Sequence, residues 1–305
     1  MKLFMKTIQL FLFLVIAITS SCVAPRVISN SGKVTPKGNF SGGYHTSYNI
    51  STQASAYVKD LIVDNIVDLA NNDSITFDAN FVKINKAAVA YQLDPISSGN
   101  EFYLKYGVLK RFDIGAKLAG NAKALEAQYQ FMGPTGNVND ETAKRVYGSI
   151  GLQVSTQSQS LPSVLSYLQD RLGYTFNRRD FMMPVLFSYS FGNEEEYGAI
   201  SWGLVANYSI VNYSTTPIDI YNLNQTKLTP QNFQQKYMSY GIFMNIKVGF
   251  QHVFVIPSLS MFYQNYGSYQ LLDGSTATFK GLTIVPGIGF RVRVGRNTYA
   301  KKMSN

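Results

Sequence analysis

One cysteine, one tryptophan and two histidines stand in a chain of 305 residues, and only 15% of the residues carry charge. A single cysteine makes no internal disulfide. Two histidines without a neighbouring cluster of Cys, Asp or Glu supply no ligand set for a metal, so no cofactor is expected. Beyond the N-terminus no apolar run comes near the roughly 18 residues of a spanning helix, which excludes a helical membrane bundle. Acids are scarcer than bases, giving a net charge of +9, yet no basic block resembling a nucleic-acid arm appears.

Aromatic residues make up 14% of the chain, with Tyr 21 and Phe 20, a composition suited to strands and to membrane interfaces. From Phe40 onward apolar residues recur at every second position over about ten residues at a time, the period of a strand with two unlike faces. Leu282, Ile284, Pro286, Ile288, Phe290, Val292 and Val294 form one apolar face, opposed by Gly281, Thr283, Gly287, Gly289, Arg291 and Arg293. The same division runs through Ile200, Trp202, Leu204 and Ala206, through Met238, Tyr240, Ile242 and Met244, and through Val253, Val255, Pro257 and Leu259. Upstream, Phe102 to Leu118 reads as a hairpin turning at Leu109-Lys110, followed by strands at Leu125 to Phe131, Val146 to Val154 and Met183 to Tyr189. The expectation is an all-β, antiparallel up-and-down barrel of about ten strands, with 8 or 12 as alternatives, spanning 37–295.

A period of two does not say which face points outward. A lipocalin-like soluble barrel buries its apolar face, and a transmembrane barrel turns it to lipid. Strands of ten or more residues suit tilted passage through a bilayer. Aromatics gather near strand ends, Tyr48, Tyr213, Tyr237 and Tyr266 at one rim and Phe112, Phe191, Tyr197 and Phe250 at the other, as interfacial girdles require. Connections at 51–99, 157–179, 212–235 and 265–278 are long and share one side, whereas those at 109–110, 192–196 and 250–251 are short and share the other. The short link at Gly120-Asn121 and the longer one at 132–143 break that order. The transmembrane orientation is therefore preferred.

Residues 1–21, with Lys2 and Lys6 ahead of an apolar core from Leu10 to Ile18, read as a signal peptide. Thr19-Ser20-Ser21-Cys22 resembles a lipobox, which makes Cys22 the expected lipidation site and 22–36 a lipidated linker on the periplasmic side. Removing Lys2 and Lys6 leaves +7 on the mature chain. The hairpin Tyr106 to Gly115, the segment Gly38-Asn39-Phe40 and the run Pro286 to Arg291 resemble the small outer-membrane β-barrel proteins of Gram-negative bacteria that carry a lipoprotein-type signal. That resemblance implies a location in the outer membrane, with its lipid as a partner, more firmly than it implies an activity. Residues 296–305 add a basic C-terminal tail.

Lys105, Arg111, Lys117, Lys247, Arg291 and Arg293 share the polar face with Asp113 and Glu126, so a porin-like, water-filled lumen would favour anions. Alternatively these charges pair with one another in a filled barrel. Two loop segments are apolar at helical spacing: Val58, Leu61 and Ile62, and Val164, Leu165 and Leu168. Each is read as a short helix that plugs the mouth or holds a hydrophobic ligand. His45 lies near Ser47 on one strand and His252 at the far end of another, which argues against a shared hydrolase site and for a protein without enzymatic activity. The functional expectation is passage or binding of a small anionic or hydrophobic solute. A structural or adhesive surface barrel and a tethered lipocalin-like carrier stand as alternatives.

Overall fold

In the computed structural model, residues 26–57, 79–135, 145–159, 173–216, 230–271 and 274–295 are described. Ten strands follow in order: β1 (Phe40–Ser51), β2 (Ser97–Leu109), β3 (Phe112–Ala119), β4 (Ala122–Met132), β5 (Val146–Gln159), β6 (Thr175–Phe191), β7 (Gly198–Thr215), β8 (Gln231–Phe250), β9 (Val253–Gln270) and β10 (Thr276–Val294). Among the described residues helix α1 (Ala79–Leu93) precedes β2, residues 52–57 are also helical, and a 3-10 turn lies at Asn193–Glu195. Each strand pairs antiparallel with its sequence neighbours, and β1 closes on β10 from Phe40↔Val294 to Ser51↔Thr283, so the sheet is a closed barrel without an edge.

The alternation seen in the sequence resolves as apolar residues outward. Trp202, Leu204, Ile242 and Ile288 are exposed on the wall, while Ser201, Asn207, Asn245 and Lys247 are buried inside. This removes the lipocalin-like reading, in which the same apolar faces would line the interior. On β8 every outward residue from Met238 to Phe250 is apolar. That run covers about 40 Å along the strand and roughly 30 Å along the axis at a tilt near 40°, the height of a hydrocarbon layer.

Above the belt the polarity inverts within continuous strands, and the β9–β10 register shifts between Phe279 and Lys280. Outward positions become Asn177 and Arg179, Asn212 and Ser214, Gln234 and Lys236, Asn265 and Gln270, and Thr278 and Lys280. Inward positions become Phe176, Tyr213, Tyr237, Tyr266, Tyr269 and Phe279, which bury Ala87, Ala88, Val89, Ala90 and Leu93 of α1 between them. Strands β6 to β10 thus rise past the belt into a collar built like a soluble domain, with α1 as the stopper of its core. Tyr213, Tyr237 and Tyr266, expected in an outer girdle, therefore face inward and are buried, and Tyr48 alone of that set lies exposed on the wall.

Loop lengths follow the expected division, including the short outer link at Gly120-Asn121, and longer strands shorten the outer connections. The connection expected at 265–278 shrinks to 271–275, because β9 and β10 continue into the collar. The short link at Gly120-Asn121 is a tight turn on the long-loop side, where Gly120 at φ 56° supplies the left-handed residue that two-residue hairpins favour. The apolar stripes Val58, Leu61, Ile62 and Val164, Leu165, Leu168 lie outside the described residues, as do Cys22, the signal at 1–21 and the tail at 296–305.

Met244→Arg, in the middle of the belt, is expected to destabilise vesicle-embedded protein by about 2–4 kcal/mol. Gln270→Arg on the collar should change stability by less than about 0.5 kcal/mol. Urea titration in phosphatidylcholine vesicles reads both, and equal losses would remove the lipid-facing assignment.

Candidate functional site

The lumen is occupied by the chain's own N-terminal segment. Residues 26–36, expected as a periplasmic linker, instead run inside the barrel, with Arg26, Val27, Ile28, Ser29, Asn30, Ser31, Val34 and Thr35 all buried. The upper end is fixed where Arg26 Nη1 meets Asp94 Oδ1 at 2.6 Å, just past α1. At the lower end the Thr35 amide donates to Asp113 Oδ2 at 2.7 Å, and the Gly38 amide donates to the Gly107 carbonyl at 2.8 Å beside the β2–β3 turn. Read from its N-terminal side, the strap descends from the long-loop end to the short-turn end, where β1 begins.

The strap takes no place in the ladder, so its backbone groups need other partners in a buried setting. Polar side chains from the wall provide them. Asn245 Nδ2 donates to the carbonyls of Ile28 and Asn30 at 3.0 Å each, Arg291 Nη2 to that of Ser29 at 3.0 Å, and Gln128 Nε2 to that of Ser31 at 2.7 Å. Further down, the Gly32 amide donates to Ser188 Oγ at 3.0 Å and the Val34 amide to Gln130 Oε1 at 3.3 Å. Ile28 packs against Met182, Leu186, Val205, Phe243 and Phe262, an apolar pocket within the polar lumen. A Cβ at Gly32 would fall 2.6 Å from the Tyr147 carbonyl oxygen, so only glycine fits there.

The lumen charges anticipated from the sequence are inside, and most are paired. Lys105 and Lys117 converge on Glu126 at 3.0 and 3.4 Å. Lys247 bonds Glu195, which also takes Arg293 at 2.7 Å. Arg291 contacts Tyr103 and the strap, whereas Arg111 lies in the β2–β3 turn, where it bonds the carbonyls of Gln130 and Gly133. With the strap in place the acids offset these cations within a filled interior.

Sequence reasoning missed the acids that do this, Asp94, Asp180, Glu194 and Glu195, together with their partners Arg26, Lys33 and Arg178. Arg178 bonds Asp180 at 2.7 Å, Ser209 at 2.9 Å and the Leu93 carbonyl at 3.2 Å, placing a cation at the C-terminus of α1. Asp94 accepts from Asn49 at 2.8 Å as well as from Arg26. Burial alone would raise the Asp94 carboxyl, but the Arg26 charge and the bonds from Thr283 and Asn49 hold it below the usual range. Glu195 is similar: burial opposes its charge, and Lys247 and Arg293 outweigh it, leaving the group at about 2.

The histidines are not brought together. His45 is fully buried, and its Nε2 pairs with Ser258 Oγ at 2.9 Å rather than with Ser47, whose hydroxyl donates to the Gly99 carbonyl. Its ring lies against Gly287 and Gly289, where added Cβ atoms would sit 2.4 and 2.5 Å from it. That contact explains the small residues on β10. His252 sits in the β8–β9 turn. Among the described residues no group of His, Cys, Asp and Glu is placed to hold a metal ion.

No family model matches the chain, and no curated protein does. Solved structures that resemble it include the outer membrane protease OmpT from Escherichia coli, at TM-score 0.40 and 7% identity over 88% of this chain and 100% of that one. The translocator domain of the autotransporter NalP from Neisseria meningitidis gives 0.35 and 8% over 84% and 88%, and a major outer membrane protein from Thermus thermophilus gives 0.34 and 6% over 84% and 99%. At such scores nothing these proteins do passes to this chain.

Glu195→Gln leaves Lys247 without its acid and is expected to cost about 3–5 kcal/mol at neutral pH. With its folded value depressed, Glu195 contributes stability that is present above about 4.5 and lost as pH falls towards about 2. The variant's urea midpoint should accordingly fall less than that of the parent protein across that window. An unchanged acid response would show that Glu195 is not held in its charged form.

Proposed function

We propose that this protein is an outer-membrane β-barrel lipoprotein of a Gram-negative bacterium, closed at rest by its own N-terminal segment, and that it serves gated passage of a small polar solute. The observation that carries this reading is the strap itself. It blocks the lumen along the height of the belt, yet it is held by side-chain bonds, ion pairs and the packing of Ile28 and has no part in the strand ladder, so it can leave with the ladder of the wall intact. The surface left behind is suited to water, with Ser188, Ser201, Ser209, Ser239, Ser258 and Ser260 buried among amides and paired charges. The membrane assignment is supported by the apolar belt, whose height matches a hydrocarbon layer.

The solute preference differs from that expected of the sequence. Withdrawal of the strap removes Arg26 and Lys33 from the lumen and leaves Asp94 and Glu194 without those partners. This loss of two positive charges shifts the interior towards negative charge, so an opened barrel favours cations over anions.

Single-channel recording in planar bilayers tests the reading. The full chain is expected to stay closed, whereas a variant lacking residues 26–36 should show sustained openings with cation preference. Sustained openings of equal size from the full chain would overturn closure by the strap, and a silent strap-free barrel would overturn passage.

A further inference from the structure

We propose that the lumen is a binding site for an extended polypeptide, and that residues 26–35 are the ligand it carries in its own chain. The inference rests on the strap-closed reading of the barrel and goes one step further, from what blocks the lumen to what the lumen recognises.

From Ile28 to Thr35, every residue except Lys33 has a backbone atom bonded by a side chain of the wall. The pattern is directional. Donors meet the carbonyls of residues 28–31, and acceptors meet the amides of Gly32, Val34 and Thr35. Asn245, Gln128 and Gln130, whose amide groups have the chemistry of a peptide bond, take most of these contacts. A plug that only filled space would need volume. This one is read by its main chain, which any polypeptide shares.

Side chains at alternate positions then add sequence. Position 26 places a guanidinium on Asp94, position 28 an aliphatic group in the Met182, Leu186 and Phe243 pocket, and position 30 an amide on Glu126 at 3.3 Å. Position 32 admits no side chain. The ligand class follows: a segment with a basic residue first, an aliphatic one two places on, Asn four places on and Gly six places on. It threads with its N-terminus towards the long-loop end. Peptide recognition usually joins main-chain bonds for affinity to pockets at alternate residues for specificity, and here both lie in the barrel interior.

The test inserts a specific-protease site between Pro36 and Lys37, so that the strap of the folded, full-length protein can be cut and washed out. A fluorescent peptide of residues 25–36 is then titrated into the barrel in detergent, with anisotropy as the readout. Saturable binding is expected. Peptides carrying Arg26→Ala or Gly32→Val should bind at least about tenfold more weakly, the effect of roughly 1.4 kcal/mol at a single buried position. A scrambled peptide binding as well as the native one, or no binding to a barrel shown by mass spectrometry to have lost its strap, would overturn the proposal. Should the cut strap remain in place, the chain refolded without residues 26–36 is used: native peptide added during refolding should raise the yield of folded barrel, and a scrambled peptide raising it equally, or no effect of either, would overturn the proposal. Specific binding by a barrel that never conducts would retire gated passage and leave this inference standing. Conduction without specific binding would do the reverse.

Discussion

Every backbone N–H and C=O in this wall has to find its partner within the protein, and the closed ladder from β1 round to β10 is how that demand is met. Closure turns all side chains either out or in, which is why one alternating pattern can serve two solvents. It also fixes the strap's situation. With every strand paired on both sides, no ladder position remains for residues 26–35, so their main chain is satisfied by side chains or not at all. The amides and hydroxyls on the inner face are therefore required by the strap, and the strap in turn accounts for a polar interior that a simply filled barrel would not need.

The inversion of polarity above the belt follows from the same alternation meeting a different surrounding. At Lys236 and Met238 on β8, and at Lys280 and Leu282 on β10, adjacent outward positions change from charged to apolar within one strand, with a shift of the β9–β10 register beside Lys280. Outside the belt water surrounds the wall, so the outward face is polar and the inward face can be aromatic. Tyr237, Tyr266 and Tyr269 then form, with α1, a core of ordinary kind stacked on a membrane-type barrel. The Arg178–Asp180 pair sits at the junction, with Arg178 bonded to the last carbonyl of α1. It joins the two regimes by linking the collar's core to the polar lumen beneath.

The barrel was legible because its signal is local: one face of β8 or β10 can be read from a dozen consecutive residues. Strand ends were less so. β6 was expected from Met183 but begins at Thr175, since Arg178 and Asp180 are inward charges, paired with each other and with Ser209 of β7 and the Leu93 carbonyl of α1, at positions above the apolar belt that carries the alternating signal. Helix α1 escaped notice although Ala87-Ala88-Val89-Ala90 favours helix and Asp94-Pro95 stops it, because its burial surrounds it and gives no amphipathic stripe. The strap had no signal at all. Ser29, Asn30, Ser31 and Gly32 read as a linker, and only the folded barrel shows that their small size and exposed main chain are what the lumen binds.

Threading also constrains the expected lipid. Cys22 precedes Arg26 by four residues, a reach of about 14 Å when fully extended, and Arg26 is held at Asp94 near the long-loop end. A lipid on Cys22 in the leaflet at the short-turn end would require the strap to be withdrawn by roughly the height of the belt, about 30 Å. Nor can acyl chains follow the strap through a formed lumen, since each methylene drawn from lipid into that polar interior costs about 0.8 kcal/mol. A lipidated chain has two consistent arrangements: the barrel closes around a strap that already spans it, with the lipid at the long-loop end, or the lipid holds the strap outside and the lumen stands empty. Acylation and threading are thus coupled through geometry alone, and the order in which the two occur decides whether the barrel is made closed or open.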